Sequence, residues 1–466
     1  MARISRRWLL MALGASCVPP IPTGTSFDGG DRDIPPLDDH DVSRVIIVGA
    51  GMAGLAAANA LKRAGVDVLV VEARSRIGGR IHTLDVGGAH VDVGASWVHE
   101  PYGNPLRQLT SLAKLSLDAF DIEDFFSRGT LVDDGVAITG GALTDSLLAL
   151  QAALDEVDAD LTKTPDDPRA ISEVMAQLAA KRGWSEAKKT RVDRALRVVF
   201  ETNLSGAIED TALNGYGTDP RFTGGDSIVH GGYSRLVDAL AASVPVSLNR
   251  EVVEISQGTT GVTVRFSDQS IESGSHVVLT LPLGVLRARA VSFTPALPAE
   301  KASAIENVGF GVFEKLVLQV GTVPSALGAA RLTLADDSAL PLLVDWSKPA
   351  TTPTVVALSA GTFGRRFGQL SDDELVRTAS DALGLDVRTS FRTRWADDPF
   401  TRGAYSWVPA GQSLSTLDAL ATPVGRVLFA GEHTSRARHA TVDGAFASGI
   451  REAKRLLQQA AVDVAV

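Results

Sequence analysis

At 466 residues, with 45% hydrophobic and 21% charged side chains, the sequence has a globular balance and room for two or more substructures around a shared core. No apolar run reaches the ~18 residues of a membrane span, and the net charge of −10 disfavours nucleic acid while suiting cationic ligands. The single cysteine, Cys17, excludes an intrachain disulfide, a cysteine metal cluster and a thiolate nucleophile in the body of the chain.

The chain opens with Ser5-Arg6-Arg7-Trp8-Leu9-Leu10-Met11, two arginines before a short apolar stretch and then a proline-rich run. This is the layout of an export signal of the twin-arginine type, which carries already folded proteins to the periplasm or cell envelope. A plain disordered tail is the alternative. Gly14-Ala15-Ser16-Cys17 resembles a lipid-attachment site, with the aliphatic Leu13 one place too early, so a lipid anchor at Cys17 stays a second possibility. Residues 1–41 are therefore read as signal and linker.

Residues 44–48 form a continuous apolar run bounded by charge and glycine, as expected of a parallel strand buried on both faces. A helix over 54–64, the stop at Gly65 and a strand over 66–71 ending at Glu72 complete a strand-helix-strand unit. Helical patterns follow over 105–117 and 143–200, the latter an insertion broken near 165–168. Strands are expected at 251–256, 262–266, 276–281, 315–320, 331–335, 354–359 and 426–430, with a last helix over 442–459. The chain ends thus supply a nucleotide-binding layer and the middle a second one. The fold class is α/β, a Rossmann-type nucleotide-binding domain (42–98, 225–288 and 392–466) beside a mixed-sheet substrate domain flanked by helices (99–224 and 289–391).

The turn Gly49-Ala50-Gly51-Met52-Ala53-Gly54 gives each glycine its own part: a tight turn, close approach of backbone to a diphosphate, and close helix-strand packing. Glu72, 18 residues after Gly54, is placed to bond ribose hydroxyls. These features license a dinucleotide. The continuation Glu72-Ala73-Arg74-Ser75-Arg76-Ile77-Gly78-Gly79-Arg80 adds glycines and fixed cations suited to the longer cofactor FAD.

That run resembles the extended FAD signature of the flavin amine oxidase superfamily, in its GR2-like form. The resemblance continues at Gly94-Ala95-Ser96-Trp97-Val98-His99, Gly231-Gly232-Tyr233, Leu248-Asn249-Arg250-Glu251-Val252, Lys315, Thr393-Arg394-Trp395-Ala396-Asp397-Asp398-Pro399 and Phe429-Ala430-Gly431-Glu432-His433-Thr434. It covers 43–458 and is strongest toward polyamine oxidases and lysine-specific histone demethylases. It implies FAD held without a covalent bond, since no thiol other than Cys17 exists. By this resemblance Glu72 and Arg74 meet the adenosine ribose, Arg80 the diphosphate, Val252 the adenine and Glu432 the phosphate-ribityl region. Ala53, Ala73, Gly79, Gly94, Ala95, Ser96, Trp97 and Gly431 complete the cofactor contacts.

Small residues at Gly444, Ala445, Ser448 and Gly449 begin the last helix, whose start carries about half a positive charge suited to a reduced flavin anion. The family turns the backbone of Thr441 and Val442 toward the flavin. Asp443 departs from the neutral or imidazole side chain common in relatives, and its role stays open. The resemblance implies that Lys315 holds a water at flavin N5 and that Trp395 and Tyr405 line the flavin and its aromatic cage, with Phe400 and Trp407 adding ring surface nearby. His99 falls where polyamine oxidases contact a substrate nitrogen; Glu100, Glu201 and Asp219 are candidate acids for an ammonium group. The expected activity is hydride transfer from an unprotonated amine, imine hydrolysis to an aldehyde, and O₂ reduction to H₂O₂. A polyamine or related amine is the expected substrate. No arginine follows Gly94-Ala95-Ser96, which favours amines over amino acids. The rivals are an L-amino-acid oxidase, an amine dehydrogenase with a non-oxygen acceptor, and a non-catalytic flavoprotein.

Overall fold

A computed structural model describes residues 42–120, 129–216 and 222–457. The export signal, Cys17 and Asp219 lie outside the described residues.

Strand β1 (Arg44–Val48), helix α1 (Met52–Arg63) and strand β2 (Asp67–Val71) form the expected unit, the helix starting two residues earlier than its sequence pattern. Gly51 stands at its N-cap, and the run Ala53 to Leu61 is buried throughout, so small side chains let this helix lie close on the sheet. The sheet is five-stranded and wholly parallel, in the order Val246–Ser247, β2, β1, His276–Leu279, Val427–Phe429. Parallel strands covered on both faces demand continuous apolar sequence, and Val45, Ile46 and Ile47 are fully buried. The last helix, Val442–Leu457, packs on α1 so closely that a Cβ on Gly449 would lie 2.1 Å from the Ala53 carbonyl oxygen.

A four-stranded sheet (Ile271–Gly274, Val262–Phe266, Val252–Gln257, Ser292–Thr294) adjoins this layer. Beyond it lies a seven-stranded mixed sheet in the order Val387–Arg392, Phe313–Val320, Thr354–Ala360, Leu342–Asp345, Ala330–Leu334, Thr130–Asp133, Val136–Ile138. Sequence patterning missed Leu342–Asp345, Val387–Arg392 and the hairpin over Thr130–Asp133 and Val136–Ile138. The hairpin joins Ala330–Leu334 in parallel across some two hundred residues of chain, a pairing no local signal encodes.

The helical insertion is three helices rather than one broken once: Gly140–Lys163, Ile171–Arg182 and Glu186–Leu204. The second break comes from Gly183, which ends its helix in the left-handed region at φ 59°, followed by Ser185 as N-cap. The helix expected over 105–117 stops at Leu112, and a strand, Leu117–Ala119, replaces its end to pair with Ser227–Val229.

Candidate active site

The glycine turn sits at the carboxyl ends of the parallel strands. Gly49 adopts φ 106°, and a Cβ on Gly54 would lie 2.0 Å from the Gly49 carbonyl oxygen, so neither position admits a side chain without moving the backbone. Glu72, at the end of β2, accepts from Ala50 N at 2.8 Å through Oε2 and from Arg74 N at 2.9 Å through Oε1. The carboxylate thereby fixes the glycine turn to the segment that follows β2. Arg74 is anchored by Asp398 at 2.8 Å and lies 5.2 Å over the Phe400 ring.

Arg80 donates from Nη1 to the Ala404 carbonyl and to Glu432 Oε1, both at 2.7 Å. Glu432 Oε2 accepts from Ser406 Oγ at 2.6 Å and Ala440 N at 2.9 Å, so one buried carboxylate ties three separate segments together. Burial opposes its ionisation, but the Arg80 guanidinium and the surrounding donors prevail and hold it down to about 2.

A cavity of about 490 Å³ runs from this turn to the start of helix Val442–Leu457 and on toward the helical insertion. Of the residues assigned to the cofactor from sequence, Gly49, Gly51, Ala53, Glu72, Ala73, Arg74, Gly79, Arg80, Gly94, Ala95, Ser96, Trp97, Val252, Trp395, Gly431, Glu432, Thr441 and Val442 line it. Gly54 stands behind the wall, against Gly49.

Lys315, His99, Glu100 and Tyr405 line the far end. Lys315 is the third residue of strand Phe313–Val320 and is 3% exposed, and Nζ donates to the carbonyls of Asp92 (2.8 Å) and Gly94 (2.7 Å) and to Ser96 Oγ (2.5 Å). Burial lowers this ammonium to about 7, against the opposing pull of Asp92. Trp395 is pinned by its ring Nε1 to the Val93 carbonyl (3.0 Å) and by its backbone N–H to Glu314 (3.0 Å). The Tyr405 hydroxyl donates to the Thr202 carbonyl at 3.0 Å, and burial raises its pKa. His99 Nδ1 lies 3.1 Å from Asp226 Oδ1; burial disfavours the imidazolium, yet the Asp226 carboxylate outweighs it and raises the imidazole above its ordinary value.

Two expectations change, for Glu201 and Trp407, and the open role of Asp443 is settled as structural. Glu201 is wholly buried outside the cavity, accepting from Thr362 N and paired with Arg197 at 3.1 Å, so it serves the fold and cannot meet an ammonium. Asp443 is likewise closed to substrate: it is 2% exposed and its Oδ2 accepts from Arg438 Nε at 2.6 Å. Trp407 packs its ring against Gly206 and Gly309 and stands outside the cavity that Phe400 does line.

No sequence signal pointed to Asp226, Arg438 and His439 in the wall, or to Asp92 beneath it. Arg438 bridges Asp443 and Glu100 (3.5 Å) and lies 4.7 Å over the Phe222 ring. The alternation of acids and bases in 432–443 was visible, but which of them pair is set by a loop that has no period to read.

The glycine cradle, the two arginines at the turn and the long cavity fit an extended dinucleotide cofactor. Residues 52–457 match the family described as flavin containing amine oxidoreductase. The chain belongs to this family. Residues 4–96 also match pyridine nucleotide-disulphide oxidoreductase, which spans the same glycine turn. Among curated relatives, polyamine oxidase 1 of Oryza sativa subsp. japonica is 31% identical over 509 residues, covering 89% of this chain and 97% of that protein. Lysine-specific histone demethylase 1 homolog 2 of Arabidopsis thaliana is 32% identical over 462 residues, with 89% of this chain spanning 58% of the longer relative. As a flavin amine oxidoreductase the chain takes FAD as its cofactor, held non-covalently.

Proposed function

We propose that this flavin amine oxidoreductase oxidises a small-molecule amine and passes the electrons to O₂, with a polyamine or a related amine as substrate. One observation carries the reading. Lys315, Trp395 and Tyr405 line the same cavity as Thr441 and Val442 at the start of helix Val442–Leu457. FAD, when bound, supplies the acceptor for a hydride from the amine's α-carbon and returns the electrons to O₂ as H₂O₂, leaving an imine that water converts to an aldehyde.

Gly49 to Gly54, Glu72, Arg74 and Arg80 would hold the diphosphate and ribose, and Thr441 and Val442 the pyrimidine end, where the helix start favours negative charge. Trp395 and Tyr405 exclude water and present flat apolar walls to the reacting carbon. The Tyr405 hydroxyl is committed to Thr202 and keeps its proton, so that wall stays neutral. His99, oriented by Asp226, is placed to hold or take a proton at the substrate side. Lys315 is the candidate proton holder on the cofactor side.

Arg438 in the wall favours a second reading, an amino acid whose carboxylate it would bind. Its guanidinium is already engaged by Asp443 and Glu100, which supports an amine instead. Export to the cell envelope through the residue 1–41 signal belongs to the same proposal.

Anaerobic mixing with putrescine, spermidine, spermine, acetylated polyamines, aromatic monoamines and amino acids tests it. Bleaching of the flavin by an amine and peroxide on readmitting O₂ are expected. Bleaching by amino acids alone, or by none of these, would overturn it.

A further inference from the structure

We propose that Asp92 is a positioning residue that sets how much of Lys315 is ammonium, and that Ser96 is the one contact of Lys315 able to serve both of its protonation states. The catalytic meaning of this pair rests on the amine-oxidising reading of the site, yet the first readout below needs no amine.

The three acceptors around Nζ use every N–H an ammonium has. When the proton leaves, two N–H groups and a lone pair remain. The carbonyls of Asp92 and Gly94 can only accept, so they keep the two N–H groups. The third contact must then reverse, and only a hydroxyl can do so: Ser96 Oγ accepts from the ammonium and donates to the neutral amine. In the first state its own hydrogen turns to the Asp92 carbonyl, 3.1 Å away. Ser96 lines the cavity, so a proton leaving Lys315 has a path to the reacting space.

Asp92, whose main-chain carbonyl accepts from Nζ at 2.8 Å, also brings a buried carboxylate into this neighbourhood. It is 6% exposed and accepts from Thr83 Oγ1 at 2.5 Å and Tyr233 N at 2.9 Å, both at Oδ1. Other groups near Lys315 are turned elsewhere. Glu314, its neighbour in the strand, is bound by Thr393, Trp395 N and Ala396 N. On one flanking strand its partner is the apolar Leu358; on the other side its backbone bonds Thr393, and Arg392, paired with Leu316, donates to the carbonyls of Phe367, Gly368 and Leu370. The rings of Trp97 and Trp346 lie 5.6 and 5.8 Å away and Tyr233, buried beyond Asp92, keeps its phenol proton. Burial raises the Asp92 carboxyl and lowers the Lys315 ammonium, while each charge favours the ionised form of the other, so the two groups titrate as a linked pair.

Asp92→Asn deletes the charge while keeping Oδ1, the oxygen that both Thr83 and Tyr233 use. The holoenzyme is labelled with ¹³Cε-lysine, the Lys315 signal is assigned by its loss in Lys315→Met, and the signal is titrated in each variant. The Lys315 midpoint should fall by about one pH unit or more in Asp92→Asn, the size of a lost neighbouring countercharge. Thr83→Val, which weakens the carboxylate without touching Lys315, should move it the same way by less, and it stands in if Asp92→Asn fails to fold. Unchanged midpoints in the folded variants overturn the proposal. In anaerobic flavin reduction, the pH limb that Lys315→Met abolishes should shift to lower pH in Asp92→Asn; a slower rate with that limb unmoved would mark a structural role only and also overturn it.

Discussion

Glu432→Gln isolates the carboxylate that joins Arg80, Ser406 and Ala440. In the native protein Oε1 faces a guanidinium N–H and Oε2 faces N–H and O–H donors. Glutamine keeps one oxygen, so its amide NH₂ must confront donors on one side or the other, leaving a buried mismatch. The displacement of this carboxyl from 4.5 to about 2 corresponds to about 3 kcal/mol of stability at neutral pH for a group this deeply buried. Because the folded pKa is depressed, that contribution is complete above about 4.5 and is lost as the pH falls toward about 2. Urea unfolding of native and variant protein at one fixed excess of FAD should therefore differ by about 3 kcal/mol at pH 7, and the gap should shrink below pH 4.5. Flavin content after gel filtration should drop in parallel. A gap under about 1 kcal/mol at pH 7, the size of an ordinary exposed pair, or a gap that widens on acidification, would contradict the part given to this carboxylate.

Three further outcomes are expected. Lys315→Met should retain FAD by absorbance yet slow flavin reduction or reoxidation about 100-fold or more in stopped flow, the scale of general acid–base assistance. Gly54→Ala, whose Cβ would meet the Gly49 carbonyl at 2.0 Å, should purify without flavin, read from the ratio of visible to ultraviolet absorbance. Glu201→Gln should lower the unfolding midpoint through loss of its Arg197 pair, at a cost of about 1–3 kcal/mol, while KM for the best amine stays unchanged; a raised KM would restore it as a substrate contact.

The nucleotide-binding half was legible because its signals are local. A five-residue apolar strand, a glycine turn and a run of alanines announce β1 and α1 from neighbouring residues alone. Lys315, Trp395 and Tyr405 were found through motif resemblance, and all three line one cavity. Glu201 went wrong although its partner was in view: Arg197 lies four residues earlier on the same helix, the spacing of an ion pair. Its other partner, Thr362, is 161 residues away and invisible to pattern reading. Asp92 was missed because one acid between Val91 and Val93 reads as an ordinary strand alternation. Only the fold places it under a lysine 223 residues distant.

The parallel sheet draws β1 from near one end of the chain and Val427–Phe429 from near the other, and the helix start that closes the cavity comes later still. The cavity is therefore complete only when Thr441 and Val442 join the wall that the Gly49 turn begins. Every strand of the seven-stranded sheet is already translated by Arg392, so that layer can assemble first and wait. A chain interrupted between Arg392 and Val427 would keep every strand of the seven-stranded sheet yet lack the edge strand of the parallel sheet and the helix start that lines the cavity.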